Sequence, residues 1–185
     1  MFERLLRKIA FQLRKSDLPY MIIGGQAVLL YGTPRLTNDI DVTLGVDIAA
    51  IDRVAETVRR IGLAIIPEDF GSFVEKTYVL PTKDEKTGIR VDFIFSFLPY
   101  ERQAIGRATV VAIDGVPVRF ASVEDLVIHK MFAGRPRDIE DVRGVLIRHP
   151  ECDREYVERW LAEFEGPMDI PYRERFRKIV SDAND

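Results

Sequence analysis

Residues 20–44 read YMIIGGQAVLLYGTPRLTNDIDVTL, and this stretch decides the fold. YMII is a short apolar run of the kind that forms a buried strand, and it breaks at Gly24 and Gly25. QAVLLYG continues as a helix that stops near Gly32 and Pro34. After the loop TPRLTN, DIDVTL alternates acidic with apolar residues, the period-two pattern of a strand with one buried face. Strand, glycine turn, helix and second strand follow one another within 25 residues. A glycine turn at a helix start lets the backbone approach a phosphate and presents N–H groups to it.

The acidic residues of the second strand carry the chemistry. Asp39 and Asp41 are two apart, so in a strand they share a face with Cα atoms roughly 7 Å apart, within common reach of bound cations. Other acid-any-acid pairs, such as Asp138/Glu140 and Glu163/Glu165, lie in helical stretches where side chains two apart diverge. A third carboxylate, Asp92, interrupts the strand-like run IRVDFIFSF (89–97), where an apolar or neutral residue fits better. Three strand-borne aspartates are the hard, oxygen-only donor set that suits magnesium, and two such ions can activate an attacking oxygen while stabilising a leaving pyrophosphate.

Outward from this core, Phe2, Leu5, Leu6, Ile9 and Leu13 predict an amphipathic first helix ending before Pro19. Asp47 is placed to cap a helix running from Ile48 to Gly62. From Leu63 to Phe120 the pattern predicts strands at LAIIP, SFVEKTYVL, IRVDFIFSF, ATVVAI and VPVRF, with an Asp114-Gly115 turn between the last two. Ser122-Val-Glu-Asp125 is a capping-box pattern opening a helix through Phe132, followed by helices over 137–148 and 153–164 and a frayed tail SDAND. The expected organisation is a core over 1–121 and a helical region over 122–185.

Composition narrows the function classes. In 185 residues, 46% are hydrophobic and the net charge is −3, so no whole-molecule field steers nucleic acid or membrane. One cysteine and two histidines exclude an intramolecular disulfide and a zinc site of four Cys or His ligands. The expected setting is the cytoplasm, without membrane association.

The run GGQAVLLYGTPRLTNDIDVTL, with Asp92 as third carboxylate, resembles the glycine-pair and Asp-any-Asp signature of the nucleotidyltransferase superfamily. SVEDLVIHKMFAGRPRDIEDVRGVL (122–146) is similar to the C-terminal motif of its AbiEii-like branch, whose members often act as toxins of toxin–antitoxin pairs. The resemblance implies an α/β nucleotidyltransferase fold, a mixed sheet flanked by helices with a small C-terminal helical part. It implies transfer of a nucleoside monophosphate from a triphosphate such as ATP to an acceptor hydroxyl. Asp39, Asp41 and Asp92 would be catalytic and hold two magnesium ions, with manganese as a substitute. Gly24, Gly25, Thr37 and Lys130 would bind the nucleotide together with Asp138 or Asp141. The acceptor is left open between RNA, protein and small molecule, and an antitoxin partner is implied for a toxin member. Two other readings use the same residues: a nucleotide- or partner-binding module without turnover, and a metal-dependent phosphodiesterase, which normally adds histidines.

Overall fold

The computed structural model describes residues 1–184. They form a mixed seven-stranded sheet with helices, an α/β architecture, divided into two compact units. The first unit is Met1–Ile23 with Thr37–Ala121, and the second is Gly24–Leu36 with the chain from Ser122 on.

The first unit contains every strand. Its sheet has the order β3-β4-β5-β2-β1-β7-β6, with β1 Tyr20–Ile23, β2 Asp39–Leu44, β3 Ala64–Ile65, β4 Val79–Lys83, β5 Arg90–Phe95, β6 Thr109–Ile113 and β7 Val116–Phe120. β1 lies antiparallel to β2, and β2 parallel to β5. All four side chains of β1 are buried, as its unbroken apolar run requires. β2 and β5 alternate instead: Ile40, Val42 and Leu44 lie fully buried beside Val91, Phe93 and Phe95, and the acidic residues occupy the opposite face.

Helix α1 (Phe2–Lys15) lays Leu5, Leu6, Ile9 and Leu13 into the core over β7. Asp47 accepts from the Ala49 N–H and caps a 3-10 turn, after which α3 (Ile51–Ile61) closes on Gly62 in the left-handed conformation. Asp114 and Gly115 both take positive φ in the β6–β7 turn.

Two expectations for this unit fail locally. The run SFVEKTYVL is not one strand: α4 (Phe70–Thr77) occupies most of it, capped by Asp69, whose carboxylate accepts from the Ser72 N–H. Only Val74 of that helix is buried, so its apolar periodicity is too weak to distinguish from alternation. A further helix, α5 (Pro99–Arg107), interrupts the β-rich middle, started by Pro99 and by Glu101, whose Oε2 accepts from the Leu98 N–H at 2.9 Å.

The second unit is helical. It comprises α2 (Gly24–Tyr31), α6 (Val123–Ala133), α7 (Pro136–Arg148), α8 (Arg154–Met168) and α9 (Tyr172–Asn184). Although α2 lies within the 1–121 span in sequence, it packs with α6 and α7. Ser122 caps α6 as the capping-box pattern predicts, accepting from the Asp125 N–H at 3.1 Å. Helix α9 extends through most of the SDAND stretch, to Asn184, where a frayed tail is expected, and before that stretch it buries Tyr172, Phe176 and Ile179 at spacings of four and three. The last residue of the SDAND stretch lies outside the described residues.

Candidate active site

Register brings the three strand aspartates together on the first unit. Asp41 stands directly opposite Asp92 in the parallel β2–β5 pair, and Asp39 stands opposite Arg90. Asp39 is exposed, while Asp41 and Asp92 are half-buried. All four side chains project from the face opposite the buried Ile40, Val42, Val91 and Phe93. The Thr37 hydroxyl donates to the Asp39 Oδ1 at 3.0 Å, so the loop before β2 orients the first carboxylate.

Arg90, which belongs to none of the sequence motifs, is the cation of this row. Its Nε donates to the Asp92 Oδ1 at 2.8 Å. That hydrogen bond, and then the charges of Asp92, Asp39 and Asp41, raise the guanidinium's pKa against partial desolvation. Among the described residues, no group of three His, Cys, Asp or Glu side chains is drawn close enough to hold a metal ion. Like-charged carboxylates separate without a cation between them, and Arg90 draws Asp92 towards itself. The donor chemistry nevertheless suits magnesium or manganese: oxygen ligands only, from adjacent strands. Both histidines, His129 and His149, belong to the second unit, outside the strand motifs.

The second unit begins at Gly24, at φ +62, a left-handed conformation that a side chain disfavours. The glycines therefore begin the helix itself, and Gly25 is buried within it. The N–H groups of the first turn are those a helix leaves without an intrahelical acceptor.

The remaining candidates form one buried charge network. Lys130, near the end of α6, is 6% exposed, and Asp138 and Asp141, one turn apart on α7, are 1% and 7% exposed. The Lys130 Nζ lies 2.7 Å from the Asp138 Oδ1 and 2.9 Å from the Asp141 Oδ2. Arg35 grips Asp141 with two hydrogen bonds of 2.9 Å each, and the Arg135 Nε donates to Asp138 at 2.7 Å. Burial alone would raise both carboxyl pKa values. The hydrogen bonds from Arg135 and Lys130 to Asp138, and from Arg35 and Lys130 to Asp141, more than offset it and hold both below the ordinary range. Lys130 is thus not a snorkelling surface side chain, and its ammonium is engaged within the unit. Both acids belong to this network.

The other reactive residue types have structural settings. Burial pushes His129 down to about 4 even though part of the residue remains accessible. It also pushes the Cys152 thiol up to about 12, far from a reactive thiolate. Asp125, fully buried, accepts from the Ser122 and Tyr156 hydroxyls at 2.8 and 2.9 Å and ties α6 to α8.

Comparison with known proteins bears on the family and the fold. The family described as nucleotidyl transferase AbiEii toxin, Type IV TA system, matches residues 4–184. No curated protein matches the chain in sequence. Among solved structures, ANT(2")-Ia in complex with adenylyl-2"-tobramycin superposes with a TM-score of 0.58 at 22% identity, covering 89% of this chain and 97% of that one. An antigenic nucleotidyltransferase-like protein from Paracoccidioides brasiliensis gives 0.58 at 17% identity, over 97% and 91%. The lincomycin-bound lincosamide adenylyltransferase LnuA gives 0.53 at 16%, over 77% and 94%. At these identities the likeness speaks for the fold. No helix among the described residues is long and apolar enough to cross a membrane.

Proposed function

Since the chain belongs to the AbiEii nucleotidyltransferase family over nearly its whole length and is a nucleotidyltransferase, we propose that it moves a nucleoside monophosphate from a nucleoside triphosphate, ATP among them, to an acceptor hydroxyl in a divalent-metal-dependent reaction. The acceptor oxygen bonds to the α-phosphorus, the bond from that phosphorus to the bridging oxygen of the β-phosphate breaks, and pyrophosphate leaves. The observation that carries this reading is the β2–β5 register, which lays Asp39, Asp41 and Asp92 on one face with Asp41 and Asp92 opposite each other.

Asp39, Asp41 and Asp92 would hold magnesium or manganese, which would supply charge neutralisation at the triphosphate and a more acidic acceptor hydroxyl. Thr37 orients Asp39, and Asp92 accepts the acceptor's proton once its hydrogen bond from Arg90 is released. Gly24 and Gly25 offer backbone N–H groups to phosphate at the start of α2. Lys130, Asp138 and Asp141 serve nucleotide binding as a charge-paired unit: with Arg35 and Arg135 it counts three cations against two carboxylates, leaving one net positive charge for phosphate.

The family's description as a toxin of a TA system supports a toxin role with an antitoxin partner, and the similar structures named for adenylyl-tobramycin and lincomycin supply small-molecule acceptors to test beside RNA and protein. The experiment is incubation with α-labelled nucleoside triphosphates, magnesium, and each acceptor class in turn. Transfer of label with pyrophosphate release, lost in an Asp92→Asn variant, is the expected result. Binding without turnover under every condition would favour the non-catalytic module.

A further inference from the structure

The carboxylate row carries its own cation, and its position has a chemical consequence. Arg90 is two residues before Asp92 on the same strand face, opposite Asp39 in register, and its Nε already occupies one Asp92 oxygen at 2.8 Å. On its other side, β4 places Lys83 directly opposite Arg90. A second cation there disfavours a guanidinium turned towards β4 and favours one turned along the strand to the aspartates. The Arg90 side chain keeps about half its surface exposed, at 55%, so it can swing away without opening the core, whereas Asp92, at 18%, is more firmly held.

A carboxylate oxygen that accepts a guanidinium hydrogen bond at this distance offers that oxygen poorly to a metal ion, and a positive charge beside the row repels one. Three carboxylates on one face also need a counter-charge whenever no metal is present. A guanidinium displaced from Asp92 presents a planar fork of donors matched to phosphate oxygens. We propose that Arg90 is the built-in counter-cation of the catalytic carboxylates, competing with metal for Asp92 and released onto the triphosphate when nucleotide and metal arrive together. Metal loading is thereby coupled to substrate: the site stays charge-balanced and weakly metal-binding until a nucleotide gives Arg90 another partner. The inference rests on the reading of Asp39, Asp41 and Asp92 as the metal site.

The test is Mn2+ binding, read by the loss of the free-ion electron paramagnetic resonance signal, without turnover. Wild type, Arg90→Gln, Arg90→Lys and Asp92→Asn are compared with and without the non-hydrolysable analogue α,β-methylene-ATP, and circular dichroism confirms that each is folded. Without nucleotide, Arg90→Gln binds Mn2+ about two- to fivefold more tightly than wild type, the range expected for loss of one half-exposed ion pair. Arg90→Lys, which keeps the charge, stays within about twofold of wild type. The analogue tightens Mn2+ binding in wild type more than in Arg90→Gln. Unchanged or weaker Mn2+ binding by Arg90→Gln overturns the inference while leaving the metal site standing. Mn2+ binding that Asp92→Asn does not alter overturns the metal-site reading itself, and this inference with it.

Discussion

Replacing Lys130 by Met tests whether the network around α6 and α7 is held by buried charge or only by packing. Met keeps the length and apolar stem of the side chain and removes the ammonium that lies 2.7 Å from Asp138 and 2.9 Å from Asp141. Taking one partner from a buried ion pair costs about 3–5 kcal/mol, because the remaining charge is left desolvated. Here each carboxylate keeps an arginine, Arg135 for Asp138 and Arg35 for Asp141, so the loss falls at the low end, about 3 kcal/mol. For a chain of this length that lowers Tm by about 6–12 °C. The assay is thermal unfolding at pH 7, followed by circular dichroism, for wild type, Lys130→Met, Asp141→Asn and the double variant. The double variant should be clearly less destabilised than the two single losses added together, because the charges interact directly. Both carboxyl pKa values are held below their unfolded values, so the stabilisation is present above the unfolded carboxylate pKa and lost as pH falls through the folded values. The gap between wild type and Lys130→Met should therefore narrow in strong acid. A Lys130→Met variant melting within about 2 °C of wild type, or strictly additive single losses, would refute the argument.

Asp39→Asn and Asp41→Asn should each lower nucleotidyl transfer by at least about a hundredfold with the fold retained, checked by pyrophosphate release and circular dichroism. In EDTA neither should melt below wild type, since removing a carboxylate relieves repulsion in the row. His129, pushed down to about 4, is protonated more readily in the unfolded chain, so stability is lost as pH falls below about 6.5. Between pH 7 and pH 5 this costs about 2 kcal/mol, and His129→Gln should flatten that part of a denaturant-derived stability profile. Gly32→Ala should lower Tm by about 3–6 °C in thermal unfolding, because its Cβ would meet the Val145 Cγ2 at 3.1 Å and the Val28 Cγ1 at 3.2 Å.

Much of the first unit is legible in the chain because a strand's period of two and a helix's period of 3.6 leave marks when one face is thoroughly buried. DIDVTL and RVDFIF carry such marks, and so do Leu5, Leu6, Ile9 and Leu13 of α1. Helix α4 buries only Val74, so eight residues held by the Asp69 cap look no different from a strand. Helix α9 hides its stripe of Tyr172, Phe176 and Ile179 among charged neighbours that make the segment resemble a solvated tail.

For the site, residue type and spacing alone single out Asp39 and Asp41, because only a strand makes residues two apart share a face. They also place Asp92 on a strand, but they do not say which strand it faces: the parallel register of β2 against β5, a pairing between residues 51 apart in the chain, sets Asp92 opposite Asp41. The same register makes Arg90 part of the row, a role invisible in sequence, where it is one arginine among many basic residues. Lys130, Asp138 and Asp141 are likewise ordinary charged residues of two successive helices until α6 and α7 pack and exclude water between them. Side-chain periodicity is written locally and can be read locally. The pairing of charges depends on which surfaces lose their water together, and only the assembled fold decides that.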